Sequence, residues 1–198
     1  MTLKPDAILF DMDGVLVDSL DSWWLALNEA LKAYDYDEIT RDEFIKKYWG
    51  HDLQYNLEKM GLEYEVLMFC NKAYINHVDG VKIYPDTIPT LEKLDHYRKG
   101  IITNTPEDCT EHIVKNLQIG KYFDVITTVD DVSRGKPSPE IVIKACDLLK
   151  VNPKNVVLIG DTDSDIKAGR AVGCTVIGVK IDADYRINSL SELTHYLK

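Results

Sequence analysis

The sequence predicts an α/β protein in which a doubly wound parallel sheet is interrupted, after its first strand, by a helical insert. Two observations support this prediction. From about residue 86 onward, short apolar runs alternate with helical segments, which is typical of a parallel sheet with right-handed crossovers. Between the first strand and residue 86, apolar positions recur at helical spacing instead. We therefore expect an α/β core formed by residues 1–15 and 86–198 and a helical insert formed by residues 16–85.

The first strand is predicted at residues 7–11, because the run Ala7-Ile8-Leu9-Phe10 is typical of a buried parallel strand. The run ends in Asp11 and Asp13, and Gly14 follows, which allows a sharp turn. Side chains two residues apart in an extended segment point the same way, so both carboxylates can face one pocket. Two anions held this close repel each other unless a cation lies between them or one is protonated.

The insert is predicted to be helical throughout. Asp18 or Ser19 can act as the N-cap of its first helix. Thr40 can cap the second helix, with Glu43 three residues later at the capping-box position. The predicted helices cover residues 20–34, 41–48, 52–60 and 64–77.

After the insert, helices and strands are predicted to alternate to the end of the chain. The expected helices cover residues 87–97, 107–117, 139–150, 165–172 and 189–198. The expected strands cover residues 100–103, 124–128, 155–160 and 174–179. Each strand follows a helix, so the strands should lie parallel in one sheet.

Composition and charge exclude several classes of function. The chain has 198 residues, of which 45% are hydrophobic and 28% charged, as in ordinary globular proteins. Its formal net charge is −10 and it contains no basic cluster, so we expect no nucleic-acid partner. An acidic protein that binds an anion needs a local positive group or a metal ion to overcome its own field.

The cysteines and the beginning of the chain suggest where the protein works. Cys70, Cys109, Cys146 and Cys174 lack the spacing of metal ligands, so we expect free thiols in a reducing cytosol and a cytoplasmic protein. The first residues lack the apolar run of a signal peptide, and no window approaches the ~20 apolar residues of a membrane span. We expect no membrane partner, and a monomer or a homodimer.

Polar residues suited to phosphate chemistry follow four of the predicted strands. In a doubly wound sheet these strand ends converge on one edge. The groups that should meet there are Asp11 and Asp13, the segment Thr103-Asn104-Thr105, the loop containing Arg134 and Lys136, and the segment Gly160-Asp161-Thr162-Asp163-Ser164-Asp165.

The residue types indicate roles in phosphoryl transfer. Asp11 and Asp161, with the backbone carbonyl of Asp13, supply the hard oxygen ligands that Mg²⁺ prefers. Asp11 is then the nucleophile that forms an aspartyl phosphate, and Asp13 is the general acid and later the base that activates water. Thr103 and Lys136 hold the oxygens of the transferring phosphoryl group.

Two neighbours of these residues have less specific roles. Asn104 is expected to contribute to phosphate binding through its backbone, while its side chain shapes the turn. Arg134 either contacts the substrate or offsets the charge of Asp130 and Asp131.

Together these segments resemble the haloacid dehalogenase superfamily of phosphohydrolases. Four motifs of that family occur in order and span nearly the whole chain. They are similar to Asp11-Met12-Asp13-Gly14-Val15, to Thr103 at the end of Ile101-Ile102-Thr103-Asn104, to Lys136 in Arg134-Gly135-Lys136-Pro137, and to Gly160-Asp161-Thr162-Asp163-Ser164-Asp165 with Ala168 and Gly173.

The resemblance implies a Rossmann-like core with a type-1 helical cap. The most similar subgroup contains phosphoglycolate phosphatase, pyrophosphatases and β-phosphoglucomutase.

The resemblance also implies that Asp165 supports the metal, directly or through water, whereas Asp163 stands at a variable position. Because Asp13 is present, phosphate-ester chemistry is favoured over carbon–halogen or phosphonate cleavage. Val15 stands where many phosphatases have Thr, which leaves a sugar-phosphate mutase possible.

The leading interpretation is a Mg²⁺-dependent phosphatase, similar to phosphoglycolate phosphatase, that hydrolyses a small phosphorylated metabolite. The alternatives are a sugar-phosphate mutase, a pyrophosphatase or nucleotidase, and a non-catalytic protein that binds a phosphorylated ligand. The predicted catalytic residues are Asp11, Asp13, Thr103 and Lys136. The predicted substrate-binding residues are Asp11, Met12, Asp13, Thr103, Asn104 and Lys136, and the predicted metal-binding residues are Asp11, Asp13, Asp161 and Asp165.

The insert is expected to act as a lid over this edge of the sheet. A helical block tethered by two connections can open and close, and closure excludes water. We place the hinges at residues 16–19 and 81–86, and expect the insert to set substrate choice. The insert also contains a group of aromatic residues, Trp23, Trp24, Tyr48 and Trp49. The first interpretation is that they pack within the insert. The alternative is that the pocket is lined by Tyr48, Trp49 and His51. The five histidines lack metal-ligand spacing and are interpreted as surface or packed residues.

Overall fold

The computed structural model describes residues 2–49 and 53–197. In chain order its strands are β1 (Ala7–Phe10), β2 (Val17–Asp18), β3 (Lys82–Ile83), β4 (Arg98–Ile102), β5 (Val125–Thr127), β6 (Val156–Gly160), β7 (Thr175–Val179) and β8 (Tyr185–Ile187). Its α-helices are α1 (Leu20–Ala33), α2 (Arg41–Lys47), α3 (Leu53–Met60), α4 (Tyr64–Tyr74), α5 (Thr87–Lys93), α6 (Glu107–Asn116), α7 (Glu140–Leu149) and α8 (Asp163–Val172).

The main sheet is parallel and has the strand order β5-β4-β1-β6-β7-β8. Strand β1 lies near its middle, with β4 on one side and β6 on the other, so that Phe10 pairs with both Ile101 and Ile159. All four residues of β1 are buried, as expected of an apolar strand covered on both faces. The chain reverses its direction of winding at β1, and ligands of such sheets bind at this kind of switch point. The α/β fold class is confirmed.

Helices α1–α4 lie between β2 and β3 in the chain and pack on one another. Trp23 of α1 stacks on Tyr74 at the end of α4, with ring centroids 3.8 Å apart and planes inclined by 9°. The apolar cluster formed by this packing continues into the sheet, where it includes Phe10 and Ile101. The insert and the core therefore share one continuous apolar interior.

The two connections that we expected to be hinges form a short antiparallel ladder. Val17 of β2 pairs with Ile83 of β3, and Asp18 pairs with Lys82. We predicted linkers here, because a strand of two residues is too short to show a period. The carbonyl of Leu16 accepts a hydrogen bond from the Thr87 hydroxyl, 2.8 Å away, which ties this ladder to α5.

Several other predicted boundaries were wrong. Strand β8 was missed, since it is a three-residue strand at the sheet edge with little apolar pattern. The closing helix expected at 189–198 is a 3₁₀ segment, Leu190–His195. Helices expected at 64–77 and 87–97 end earlier, at Tyr74 and Lys93.

Thr40 caps α2 as predicted, because its hydroxyl accepts the Glu43 N–H at 3.2 Å. The Glu43 carboxylate bonds to Lys47 at 2.7 Å.

The four cysteines are buried and unpaired, which confirms free thiols. Among the described residues, no helix has both the length and the apolar character needed to span a membrane.

Candidate active site

The polar residues that follow β1, β4 and β6 meet in one pocket, as their sequence positions predict. Asp11 continues the ladder beyond β1 by donating its N–H to the carbonyl of Ile159, 2.9 Å away. Thr103 does the same beyond β4, donating its N–H to Thr127 at 3.0 Å. The pocket brings these two side chains together with those of Asp13, Lys136 and Asp161.

Lys136 lies at the centre of the acidic groups and is only 4% exposed. Its Nζ is 2.6 Å from Oδ1 of Asp11 and 2.7 Å from Oδ1 of Asp165. Burial alone would lower the pKa of Lys136, but the charges of Asp11 and Asp165 outweigh burial and raise it. Lys136 is therefore a permanently charged group that holds two carboxylates from different elements.

The loop that carries Lys136 is held by the side chain of Asn104. The Asn104 amide donates from Nδ2 to the Lys136 carbonyl at 2.8 Å, and its Oδ1 accepts the Lys136 N–H at 2.8 Å. Both ends of the side chain are thus bonded to the backbone of a residue 32 positions away. We expected this side chain to shape its own turn, so its tertiary role was missed. A Cβ on neighbouring Gly135 would overlap Oδ1 of Asn104.

The Asp13 carboxylate is surrounded by hydroxyl groups. The Thr105 hydroxyl donates to Oδ2 of Asp13 at 2.6 Å and the Thr103 hydroxyl donates to the same atom at 3.2 Å. The Ser19 hydroxyl donates to Oδ1. These bonds occupy both oxygens of the Asp13 carboxylate, which is not part of the described cluster of Asp11, Asp161 and Asp165.

The hydrogen bonds of Thr105 and Ser19 to Asp13 were not predicted from the sequence. Thr105 lies two residues after Thr103 in a segment already recognised as polar, and that spacing was the available clue. Ser19 was predicted as an N-cap of α1. It occupies the N-cap position, but its side chain makes no capping bond because the hydroxyl is used by Asp13.

Asp161 fits a divalent cation. Its Oδ1 is buried and has no hydrogen-bond partner among the described residues. One oxygen each of Asp11, Asp161 and Asp165 lie within 4.8 Å of one another. Burial, followed by the charge of Asp165, raises the pKa of Asp161 to about 8. A buried carboxylate with an unpaired oxygen is costly, and a hard cation such as Mg²⁺ would satisfy it.

Asp11 is in the same electrostatic situation. Burial, followed by the charge of Asp165, raises its pKa well above the usual range, while Lys136 opposes this shift. The Met12 N–H donates to Oδ1 of Asp11 at 2.7 Å. The Met12 side chain, which we included in the substrate-binding set, is fully buried in the apolar core, so only its backbone faces the site.

Asp165 is fully buried and is held by the start of α8. Its Oδ2 accepts the Thr162 N–H at 3.2 Å and the Thr162 hydroxyl at 2.6 Å, so these residues form a capping box. Its other oxygen bonds to Lys136, so Asp165 also positions that lysine. Asp163 is exposed and lies outside the acidic cluster.

Gly14 is required by the close approach of Asp161. Its φ is +77°, in the left-handed region that favours glycine. A Cβ at this position would overlap the Asp161 carboxylate. The turn that follows Asp11 and Asp13 therefore packs directly against Asp161.

The other wall of the pocket comes from the insert. The described residues of this wall are aromatic or apolar except for Asn56, and they comprise Trp23, Phe44, Tyr48, Trp49, Leu53 and Asn56. Of the two interpretations of the aromatic residues, pocket lining holds for Tyr48 and Trp49. Trp24 packs within the insert and donates its indole N–H to Ile39 at 2.9 Å. His51, which we placed near this wall, lies outside the described residues.

Arg134 is exposed and pairs with Glu140 at 3.0 Å rather than with Asp130 or Asp131. It is absent from the described lining of the pocket. Of the histidines, His77 pairs with Glu29 at 2.8 Å and His112 with Asp79 at 3.0 Å.

Several known proteins are similar to this chain in sequence or in fold. A phosphoglycolate phosphatase of Aquifex aeolicus is 35% identical over 172 residues, which cover 84% of this chain and 80% of the relative. A pyrophosphatase PpaX of Bacillus cereus is 27% identical over 182 residues, covering 89% of this chain and 84% of the relative. A solved structure from Lactobacillus plantarum has a TM-score of 0.90 at 20% identity, covering 98% of this chain and 99% of that one.

The model of the family described as haloacid dehalogenase-like hydrolase matches residues 8–179, a range that contains every acidic residue of the pocket. The resemblance inferred from the four motifs is thereby confirmed. This chain belongs to the haloacid dehalogenase-like hydrolases.

Proposed function

We propose that this chain, a phosphatase of the haloacid dehalogenase-like family, hydrolyses the phosphate monoester of a small metabolite through an aspartyl phosphate on Asp11. The observation that carries the proposal is the position of Asp11. Its carboxylate lies in a pocket, 2.6 Å from the charged Lys136 and two residues from a second carboxylate, Asp13, that is held separately by hydroxyl groups. The two acids are thus positioned for different tasks.

In the first step, a carboxylate oxygen of Asp11 attacks phosphorus and the bond from phosphorus to the leaving oxygen breaks. Asp13, in its protonated form, gives its proton to the leaving alkoxide, so that an alcohol departs. In the second step Asp13 takes a proton from water and the resulting hydroxide attacks phosphorus. The bond from phosphorus to the Asp11 oxygen breaks, which releases inorganic phosphate and regenerates the Asp11 carboxylate. Lys136 and Thr103 stabilise the charge on the transferring oxygens.

The acidic cluster would hold Mg²⁺ through Asp11 and Asp161, with Asp165 and the Asp13 carbonyl in support. The unpaired buried oxygen of Asp161 is the feature that fits such an ion. When bound, Mg²⁺ would neutralise charge on the phosphoryl oxygens, which lets an anionic substrate approach a pocket rich in carboxylates.

The names of the relatives support phosphate chemistry. One is a phosphoglycolate phosphatase and another a pyrophosphatase, so phosphoglycolate and pyrophosphate are the first compounds to test. Product analysis separates hydrolysis from transfer: a hydrolase releases inorganic phosphate, whereas a mutase given a hexose 1-phosphate forms an isomer without release.

The test compares the Asp11→Asn variant with the wild-type enzyme on p-nitrophenyl phosphate, with and without Mg²⁺. Loss of the nucleophile should lower kcat roughly 10⁴-fold or more. Asp163→Asn serves as the matched control, because Asp163 is an exposed acid of the same motif and its loss should leave turnover unchanged. Full activity of Asp11→Asn would overturn the proposed mechanism, and wild-type activity that is unaffected by chelation would overturn the metal requirement.

A further inference from the structure

The wall that the insert contributes to the pocket carries no charged side chain among the residues that the structure describes. Its partly exposed members, which a ligand in the pocket can contact, are Trp23, Tyr48, Trp49 and Leu53. The sequence between the two described ranges, Gly50-His51-Asp52, contains no lysine or arginine. The wall is therefore suited to an uncharged group and offers no permanent positive charge to an anion.

Two of these aromatic rings are held from behind by buried partners. Trp23 stacks on Tyr74 with ring centroids 3.8 Å apart, and Trp49 packs on Phe44 with centroids 5.9 Å apart. Tyr74 and Phe44 are both buried, so the two tryptophans rest on the apolar interior of the insert. Rings that are fixed in this way bind a flat or apolar group with little loss of side-chain entropy.

Lys136 is the one cation among the described residues that line the pocket. Its Nζ lies 2.6 Å from Asp11 and 2.7 Å from Asp165, so its charge is shared between two carboxylates before any substrate binds. The same lining includes the carboxylates of Asp13 and Asp161. A second anion on the substrate, in addition to its phosphate, would enter this pocket without a counter-charge, and burying it there is costly.

We propose that the wall selects phosphate monoesters whose leaving group is uncharged and has an apolar face, and that it disfavours leaving groups that carry an anion. The proposal rests on the proposed function, since it concerns the leaving group of that reaction. Phosphoglycolate and pyrophosphate, the compounds in the names of the two relatives, both release a group that carries a negative charge. This chain then discriminates against both compounds.

Two matched pairs of substrates test the proposal on the wild-type enzyme. Phosphoglycolate and its amide have nearly the same shape and differ in charge, so kcat/KM for the amide should be higher by roughly tenfold or more. Benzyl phosphate and ethyl phosphate are both esters of primary alcohols and differ in the ring. Because the ring can pack on the aromatic wall, kcat/KM for benzyl phosphate should be higher by roughly tenfold.

The Leu53→Lys variant tests whether this wall sets the charge preference. A cation on the wall should raise the ratio of kcat/KM for phosphoglycolate to that for its amide by roughly tenfold. Leu53→Met, an uncharged change of similar volume, should keep the wild-type ratio. Leu25→Lys is the second control, since Leu25 is 43% exposed in the same insert and is absent from the described lining, and it should also keep the ratio.

The wild-type measurements decide the proposal even when a variant fails to fold. An enzyme that hydrolyses p-nitrophenyl phosphate but uses phosphoglycolate as well as its amide, or ethyl phosphate as well as benzyl phosphate, would overturn the inference about the wall alone. An unchanged ratio in folded Leu53→Lys would assign the charge preference elsewhere and contradict the inference too. Failure to hydrolyse p-nitrophenyl phosphate and every other monoester would instead overturn the proposed function.

Discussion

At the scale of single residues, the site is defined by carboxylates whose environments differ. Asp13 is surrounded by the hydroxyls of Ser19, Thr103 and Thr105, whereas Asp161 has a buried oxygen without a partner among the described residues. Pairs of titratable groups with such different surroundings are typical of sites that divide acid, base and ligand roles. This difference supports the separate tasks proposed for Asp13, which moves a proton, and for Asp161, which would hold a cation.

The pKa of Asp161 leads to a prediction about stability in the absence of divalent cations. In the folded protein this pKa is about 8, against an ordinary value of 3.8. The folded state therefore keeps a proton on Asp161 that the unfolded state has already lost, so the unfolding free energy should fall as pH rises from about 4 to about 8. Asp161→Asn removes this titration and should be more stable than wild type above that range, by on the order of 2 kcal/mol.

Urea unfolding in the presence of a chelator, at about pH 5 and about pH 8.5, measures this difference. The advantage of Asp161→Asn should be largest at the higher pH and should reverse when Mg²⁺ is added, since the ion needs the carboxylate. The exposed Asp163→Asn variant should match wild type at both values. An Asp161→Asn protein that gains nothing at the higher pH would contradict the electrostatic description.

At the scale of elements, the site depends on loops that hold one another. The loop after β4 contributes Asn104, whose side chain bonds at both ends to the backbone of Lys136 in the loop after β5. Lys136 then reaches Asp11 beyond β1 and Asp165 at the start of α8. The strand ends thus deliver the reactive groups, but the spacing between these groups is set by contacts between loops.

We predict that Asn104→Ala loosens the Lys136 loop without unfolding the core. Because two hydrogen bonds are lost, kcat should fall roughly tenfold or more, and the affinity for inorganic phosphate should weaken. Steady-state kinetics and calorimetric phosphate titration measure the two effects. Asn155→Ala is the control, since that side chain bonds to Asp6 on the surface before β6. A variant that loses thermal stability but keeps wild-type kcat would show that Asn104 is only structural.

The lengths of the elements explain which of them could be predicted. Strands β1, β4, β6 and β7 were found to within about two residues, because their apolar runs are long enough to recognise. Strands β2 and β3 contain two residues each, and their pairing depends on residues more than 60 positions apart. No local pattern encodes such a pair, so it was missed.

At the scale of the whole molecule, the pocket is shared between the insert and the sheet. Reactive groups come from the carboxyl edge of the sheet, and aromatic groups come from the helices between β2 and β3. The ladder of β2 and β3 joins the two parts. We infer that the insert acts as a cap that closes over the leaving group while the core carries out the chemistry.

A chimera tests this division. Residues 16–85 would be replaced by the corresponding segment of the Aquifex aeolicus relative, whose alignment with this chain extends over 84% of it. The chimera should keep activity on p-nitrophenyl phosphate, while kcat/KM for phosphoglycolate relative to other phosphate monoesters should rise. The reciprocal chimera is the control and should shift the other way. Unchanged preference in both would contradict a cap that selects the substrate.

The sequence by itself determined the fold class, the order of the main elements and the identity of the principal acids and the lysine. These follow from local rules, because apolar runs reveal strands and polar residues at strand ends converge on one edge of a parallel sheet. Only the tertiary structure decided how the groups face one another. It shows that the hydroxyls of Ser19 and Thr105 donate to Asp13 and that the Asn104 side chain bonds to the backbone of Lys136. These contacts join distant parts of the chain, and the direction of a hydrogen bond depends on packing that no local pattern contains.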